Sequence, residues 1–129
     1  MTPATANTTK LKLYVGGQWI DSSATATGEV RNPATNELLA QVPMGGADDV
    51  DRAVKAAEKA YPGWRMTPPV NRVRPMFKFR ELLETHFDDI ARIVTREHGK
   101  TLDESRSSVR RAVDNVELAC GIPSLDRKS

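Results

Sequence analysis

The chain has 129 residues, the size of one ordinary domain, and its 19 Lys and Arg residues nearly balance 17 Asp and Glu residues. A formal net charge of +2 gives no reason to expect a nucleic acid or an anionic membrane as a partner. No apolar run approaches the roughly 18 residues that a membrane-spanning helix needs. The single cysteine, Cys120, excludes an internal disulfide and fits a reducing compartment.

The two ends of the chain are predicted to lie outside its folded part. Residues 1–10 have neither the apolar core of a signal peptide nor the arginine-rich character of a transit peptide, so they read as a flexible leader of a cytoplasmic protein. Residues 126–129 are polar and read as a frayed tail. The predicted domain is therefore residues 11–125.

Short strands are predicted in the first part of this domain. Residues 11–20 read as a hairpin, because Gly16-Gly17 separates two short apolar runs and tight hairpin turns need residues that accept positive φ. A polar loop is expected over Asp21–Gly28. Two further extended pieces, Glu29–Arg31 and Leu38–Val42, are separated by a turn that begins with Asn-Pro.

The first predicted helix covers Ala47–Tyr61. Acidic residues crowd its first turn, where carboxylates interact with the positive end of the helix dipole. Pro62-Gly63 is predicted to end the helix, with Trp64 buried behind it. A narrow apolar stripe rich in alanine predicts close packing against another backbone element; its members are Val50, Ala53, Val54, Ala57 and Tyr61.

Two longer amphipathic helices follow. The second is expected to be regular from about Met76 to His98, after a first turn or two distorted by Pro75. Gly99 is expected to end it with positive φ. The third runs from about Leu102 towards Gly121. Apolar residues recur every three or four positions in both; these are Met76, Phe79, Leu83, Phe87, Ile90 and Val94, then Val109, Val113, Val116 and Cys120.

The predicted fold class is therefore α+β, with three or four short antiparallel strands followed by three helices. The chain has no Gly-x-Gly-x-x-Gly motif and no phosphate-binding loop, so a doubly wound dinucleotide-binding sheet is not expected within it.

The residues with reactive side chains are mostly explained by structure. Cys120 falls in line with the apolar stripe of the third helix, which predicts a buried structural thiol. His86 lies at the edge of an apolar stripe, and His98 is expected near a helix C-terminus. Widely spaced histidines and one cysteine form no metal-ligand pattern. The basic run between Arg65 and Arg80 is followed directly by acidic residues, so it reads as a solvated helix face.

Arg111 is the candidate binding residue. On a helix it points almost opposite the stripe that contains Val109 and Val113, among small or neutral neighbours. A guanidinium group suits two-point binding of a carboxylate. The alternative is a surface arginine that pairs with Asp114 or Glu104. From the residues alone, the chain is a soluble α+β segment without a complete active site.

Several short stretches resemble the aldehyde dehydrogenase superfamily, and one points to CoA-acylating methylmalonate-semialdehyde dehydrogenases. The resembling stretches are Leu13–Trp19, Arg31–Thr35, Gln41–Pro43, Tyr61–Trp64 and Thr95–Thr101. Of these, the hairpin, the Asn-Pro-Ala-Thr turn and the Glu-x-Gly-Lys joint are shared across the superfamily. The more discriminating stretch is Asn115–Leu125. The resemblance covers nearly all of the chain but only about the first quarter of the family's usual length.

The resemblance implies an NAD-dependent enzyme that converts malonate or methylmalonate semialdehyde to acetyl-CoA or propionyl-CoA, with loss of CO₂. In that family the nucleophilic cysteine, the glutamate, the oxyanion-stabilising asparagine and the main NAD contacts correspond to positions beyond Ser129. Cys120 does not match the nucleophile. No catalytic, cofactor-binding or metal-binding residue is therefore expected in this chain, and neither NAD nor coenzyme A is expected to bind it alone.

The family holds the substrate's carboxylate with an arginine on the third helix, and Arg111 matches that position. Ser108 stands where the family commonly has an acidic residue, and Ala112 where it commonly has glycine. Arg110 adds a second guanidinium, so the sequence leaves open which arginine faces the substrate. It also leaves open the choice between malonate and methylmalonate semialdehyde.

Two hypotheses follow for the chain itself. In the first it is an inactive N-terminal part of a dehydrogenase, whose family continuation is replaced after Leu125 by Asp126–Ser129, as in a truncated reading frame. Its exposed apolar stripes would then favour self-association. In the second it is a non-catalytic interaction module that pairs with a full-length dehydrogenase subunit.

Overall fold

Five short strands precede six helices in residues 9–125, the part of the chain that the computed structural model describes. The strands are β1 (Thr9–Lys10), β2 (Leu13–Val15), β3 (Gln18–Ile20), β4 (Thr27–Arg31) and β5 (Leu38–Pro43). The helices are α1 (Ala47–Met66), α2 (Pro69–Arg72), α3 (Arg74–Thr85), α4 (Phe87–His98), α5 (Leu102–Cys120) and α6 (Ile122–Leu125). The α+β class predicted from the sequence is confirmed.

The described residues divide into two compact units, with the boundary between Pro62 and Gly63. Most of the predicted leader, residues 1–8, lies outside the described residues, and so does the predicted tail, residues 126–129. The last two residues of the predicted leader form β1.

The predicted hairpin is confirmed in the first unit. Strands β2 and β3 pair in antiparallel register, and the turn residues Gly16 and Gly17 have φ angles of 60° and 82°. Both values lie in the left-handed region, as a type I′ turn requires. A Cβ atom built on Gly16 would lie 3.7 Å from Ala56 Cβ, so α1 approaches the turn closely through an alanine that is not in the predicted stripe.

The other three strands form one sheet in the order β1-β5-β4. Strand β4 pairs antiparallel with β5, as expected, with an irregularity between Val30 and Arg31. Strand β1 instead pairs parallel with β5, which departs from the purely antiparallel prediction. Thr27 and Gly28, predicted to lie in a loop, belong to β4, because their backbones continue the ladder opposite Pro43 and Val42.

A buried carboxylate fixes the start of α1 in the first unit. Asp49, in the first turn of the helix, is 5% exposed. It accepts hydrogen bonds from Ser22 Oγ at 2.5 Å and from the Ser23 backbone N–H at 3.1 Å, and it pairs with Arg52. These donors favour the ionised form, so the pKa of Asp49 lies well below its usual range, mainly because of the Ser22 hydroxyl.

Helix α1 is longer than predicted. It continues through Pro62 and Gly63 to Met66, so the prediction that this pair ends the helix is wrong. Pro62 removes one intrahelical hydrogen bond, but the helical backbone continues past it. The helix ends instead where Thr67 turns back, its N–H donating to the Trp64 carbonyl at 3.1 Å and its Oγ1 to the Gly63 carbonyl at 3.0 Å.

Trp64 is not the buried residue that the sequence suggested. Its position within α1 leaves it 51% exposed. The predicted apolar stripe of α1 is also largely exposed, with Val50 at 60% and Tyr61 at 57%.

The second predicted helix is broken into three. The distorted opening expected near Pro75 is present as the separate helix α2, followed by Val73 as a junction residue. The prediction of continuous helix from Met76 to His98 is wrong, because His86 has φ −104° and ψ 18° and separates α3 from α4. Just before the break, Thr85 Oγ1 donates to the Glu81 carbonyl at 2.9 Å, a contact that bends helices.

The joint between α4 and α5 has well-defined caps. Gly99 ends α4 with φ 68°, as predicted, and its N–H donates to the Thr95 carbonyl. Thr101 and Glu104 form a capping box at the start of α5. The Thr101 donors hold the pKa of Glu104 below its usual range.

A buried hydroxyl joins the two helices. Ser105 is 0% exposed, and its Oγ donates to the Thr101 carbonyl at 3.0 Å. The same oxygen therefore accepts from Thr95 Oγ1 of α4, at 2.8 Å. The buried apolar residues among residues 9–125 are Ala91 on α4 and Val109 and Val113 on α5, the same two helices. Val116 and Cys120, predicted to continue this stripe, are half-buried.

The first prediction concerns the pH dependence that Asp49 creates. Because its folded pKa lies below its unfolded value of about 3.9, it adds stability above that pH, and this stability is lost as the pH falls towards the folded pKa. Urea unfolding at several pH values should therefore show Asp49→Asn less stable than the parent at neutral pH, with a gap that narrows below about pH 4. Asp48→Asn, exposed in the same turn, is the control, and a gap independent of pH would contradict the prediction.

The second prediction concerns the seam between α4 and α5. Val113→Ala removes two methyl groups from a 0% exposed site and should lower the free energy of unfolding by about 2 kcal/mol. Val70→Ala, at a 64% exposed site in the same unit, should change it by less than about 0.5 kcal/mol. Equal effects in chemical denaturation would show that the seam is not the core of this unit.

Candidate functional site

Two consecutive arginines on α5 have different surroundings. Arg110 donates from Nη1 to Glu84 Oε1 of α3 at 2.7 Å, and its guanidinium carbon lies 4.7 Å from the centre of the Phe87 ring. The hydrogen bond lowers the pKa of Glu84 and raises that of Arg110. Arg110 is therefore used within the fold, in an ion pair and a cation–π contact.

Arg111 lies on α5 without such a partner. It is exposed, and its Nη2 donates to Ser108 Oγ at 3.3 Å. No carboxylate of residues 9–125 lies within 4.0 Å of its guanidinium, so the structure shows no ion pair with Asp114 or Glu104, the partners in the alternative interpretation. The backbone carries Arg111 away from the buried positions Val109 and Val113, as the helical spacing predicted.

A second cation reaches the same hydroxyl. Lys100, at the joint before α5, donates from Nζ to Ser108 Oγ at 2.8 Å. Ser108 Oγ itself donates to the Glu104 carbonyl at 3.0 Å. Lys100 from the joint and Arg111 from α5 therefore both donate to one neutral oxygen. Lys100 was not singled out from the sequence, although its place in the Gly-Lys-Thr joint made it available.

The other reactive side chains do not come together. Cys120 is the last residue of α5 and is half-buried as a free thiol, rather than fully buried as predicted. His86 and His98 are exposed, and His98 ends α4 as expected. Within residues 9–125, no group of three or more His, Cys, Asp or Glu side chains is placed to hold a metal ion.

The basic run between Arg65 and Arg80 contains cations that pair with acidic residues, as expected of a solvated helix face. Lys78 pairs with Glu81 at 2.9 Å, and Arg80 pairs with Glu117 of α5 at 2.6 Å. These pairs use cations that a nucleic-acid surface would need free for phosphates.

An apolar cleft of about 320 Å³ lies in the second unit. Its walls come from both ends of the unit and include Pro69, Val73, Met76, Ala119, Ile122 and Pro123. Arg72 also lines it, and the Nε atom of Arg72 is buried without a hydrogen-bond partner in the described structure. In the sequence, Arg72 lies within the basic run between Arg65 and Arg80, and no pattern there indicates this cleft.

The sequence and the fold match a known enzyme family. The sequence matches the family model described as the aldehyde dehydrogenase family over residues 19–128. The chain belongs to the aldehyde dehydrogenase family.

Particular relatives define the likeness more narrowly. Malonate-semialdehyde dehydrogenase 1 of Geobacillus kaustophilus is 48% identical over 118 residues, which are 92% of this chain and 24% of that protein. The crystal structure of methylmalonate-semialdehyde dehydrogenase from Oceanimonas doudoroffii is 41% identical, with a TM-score of 0.85 over 91% of this chain and 24% of that chain.

A more distant enzyme has the same fold in this region. A mutant of aldehyde dehydrogenase C from Pseudomonas syringae, in complex with NAD⁺ and octanal, is 33% identical with a TM-score of 0.85, over 88% of this chain and 24% of that chain. The chain thus spans about a quarter of the length of the relatives it matches.

In residues 9–125, no helix is both long and apolar enough to cross a membrane.

The third prediction separates the two arginines. Arg110→Ala removes the ion pair with Glu84 and the contact with Phe87, so it should lower the thermal unfolding midpoint. Arg111→Ala removes one long hydrogen bond from an exposed side chain and should leave the midpoint nearly unchanged. Calorimetry or circular dichroism of the two variants tests this, and an equal drop in both would contradict it.

Proposed function

We propose that this chain forms the N-terminal part of an NAD-dependent, CoA-acylating dehydrogenase for malonate or methylmalonate semialdehyde. In this role Arg111 binds the carboxylate of the substrate. The enzyme is proposed to work in the cytoplasm, which agrees with the single unpaired cysteine.

The observation that carries the proposal is the contrast between Arg111 and its neighbour. Arg110 is occupied by Glu84 and Phe87, whereas Arg111 is exposed and meets only a neutral hydroxyl within the described chain. An arginine without an internal counter-ion can offer two parallel N–H groups to a carboxylate. Of the two arginines that the sequence left open, this favours Arg111. The names of the relatives support the class of substrate.

The proposed reaction explains why a carboxylate site is needed. Malonate semialdehyde, coenzyme A and NAD⁺ would give acetyl-CoA, CO₂ and NADH. The aldehyde carbon gives a hydride to NAD⁺ and becomes the thioester carbonyl. The carboxylate leaves the adjacent carbon as CO₂, and the proton of the coenzyme A thiol balances the new carbon–hydrogen bond formed there. The group that Arg111 binds is thus the group that leaves as CO₂, and it distinguishes the substrate from a neutral aldehyde.

The described residues do not themselves fit NAD. Their sheets are a three-stranded one with a two-residue parallel edge and a two-stranded hairpin, and no strand leads through a glycine-rich loop into a helix. We therefore assign no cofactor contact to this chain. We also propose that residues 1–129 alone lack dehydrogenase activity, because Cys120, half-buried at the end of α5, does not match the family's nucleophile.

The fourth prediction tests Arg111 in an active enzyme. Residues 19–125 would replace the matching segment of malonate-semialdehyde dehydrogenase 1 of Geobacillus kaustophilus, whose own remaining chain supplies the rest of the enzyme. In this chimera, Arg111→Gln should lower kcat/KM for malonate semialdehyde by about 10- to 100-fold, the value of a lost charged hydrogen bond. Propanal, which has a methyl group in place of the carboxylate, should be oxidised as before.

Matched variants make the result specific. Arg110→Gln should leave kcat/KM for malonate semialdehyde near the parent value, since Arg110 is bound to Glu84. Arg111→Lys keeps the charge but not the two-point geometry, so an intermediate loss is expected. An equal loss for propanal and malonate semialdehyde in Arg111→Gln would rule out the carboxylate role.

A second candidate function is a non-catalytic module that pairs with a full-length dehydrogenase subunit, or with itself. The observation that favours it is the number of exposed large apolar side chains, including Met66 at 80%, Leu118 at 68% and Val70 at 64%. Co-expression of the tagged 129-residue chain with the intact Geobacillus enzyme, followed by co-purification, tests this. Recovery of the chain alone and monomeric in size-exclusion chromatography would eliminate it.

A further inference from the structure

The Ser108 hydroxyl has every hydrogen-bonding position filled. A serine hydroxyl offers one donor and two acceptor lone pairs. The donor goes to the Glu104 carbonyl at 3.0 Å, and the two lone pairs accept from Lys100 Nζ at 2.8 Å and Arg111 Nη2 at 3.3 Å. Ser108 is therefore fixed by its own helix and in turn fixes two cations.

We propose that Ser108 is a positioning residue that holds Lys100 and Arg111 together as a two-cation site for a small carboxylate. This inference rests on the proposed function of Arg111 and adds two residues to it. Ser108 acts through the two cations, and Lys100 supplies a second positive charge beside the arginine.

The electrostatics of the pair support an anionic ligand. The two cations share one oxygen, so Lys100 Nζ and Arg111 Nη2 are no farther apart than two hydrogen bonds laid end to end. The two positive charges repel each other, the hydroxyl between them is neutral, and no carboxylate of residues 9–125 lies within 4.0 Å of either cation. The Glu104 carboxylate is near enough for Lys100 to help lower its pKa, but it is already hydrogen-bonded to Thr101. An anion that accepts from both would relieve this repulsion. A compact carboxylate suits such a pair.

A plain surface role for Ser108 is the competing explanation. Serine hydroxyls in helices often donate to the carbonyl four residues earlier, and Ser108 does so with Glu104. That common hydrogen bond does not explain why Ser108 also accepts from two cations. Ser107 provides the matched comparison, since it is an exposed serine at the adjacent position of α5 and has no hydrogen bond to Lys100 or Arg111.

The fifth prediction is made in the active chimera. Ser108→Ala should raise KM for malonate semialdehyde by about 3- to 10-fold, the effect of losing a neutral hydrogen bond that orients the cation. The value of kcat should stay the same, and so should KM for propanal. Ser108→Thr keeps the hydroxyl and should have the KM of the parent for malonate semialdehyde. Ser107→Ala, the control, should also have the parent KM. Lys100→Met should raise KM for malonate semialdehyde alone.

The outcomes separate this inference from the proposed function. If Arg111→Gln raises KM for malonate semialdehyde but Ser108→Ala does not, the positioning role is wrong and the carboxylate role of Arg111 stands. If neither variant changes KM for malonate semialdehyde, the positioning role of Ser108 and the carboxylate role of Arg111 are both wrong. If Ser108→Ala impairs both aldehydes, or Thr fails to restore KM, Ser108 has a structural role and the inference is overturned.

A direct measurement on the full 129-residue chain complements the kinetics. Sodium malonate is the probe and neutral malonamide the control, with the side-chain N–H signal of Arg111 followed by NMR. We expect malonate to shift this signal in the parent, and to shift it less in Ser108→Ala but not in Ser107→Ala. A malonate response that is unchanged in Ser108→Ala, or absent from the parent, would overturn the inference.

Discussion

The arrangement of the second unit depends on one buried hydroxyl, that of Ser105. It donates to the carbonyl of Thr101 on its own helix and accepts from Thr95 on α4, so it connects both sides of the joint at Gly99. A buried polar atom is costly unless it is paired, and pairing across two helices makes their register specific. That register, with the capping box at Thr101, determines the direction in which α5 presents each later residue.

From this constraint the contrast between the two arginines follows. Consecutive residues on a helix are separated by about 100°, so one register cannot direct both side chains to the same neighbour. The seam that buries Val113 places Arg110 beside Glu84 and leaves Arg111 near Ser108. The difference in their chemistry therefore comes from packing rather than from residue type.

Local sequence signals predicted the local features well. Two glycines identified the hairpin turn, and Gly99 identified the end of α4, because positive φ is a property of single residues. The class of fold and the direction of Arg111 also followed from spacing. The capping box was available as Thr-x-x-Glu at Thr101 but was missed.

Features that depend on distant partners could not be predicted from the sequence. No proline or glycine marks the break at His86 in the sequence. Helix α1 continues through Pro62 and Gly63, although this pair usually indicates the end of a helix. The occupation of Arg110 by Glu84 joins residues 26 positions apart on different helices. Burial was overestimated for Trp64, since an apolar side chain in a helix becomes buried only when another element covers it.

The proline inside α1 has a consequence for cooperativity. Pro62 has no amide hydrogen, so the ladder of hydrogen bonds along the helix lacks one rung, and the boundary between the two compact units falls between Pro62 and Gly63. Each rung of a helix couples the opening of one turn to that of the next. With one hydrogen bond missing at the boundary, we expect local opening of the helix on one side to be transmitted less strongly to the other, which hydrogen exchange would detect as different protection on the two sides of Pro62.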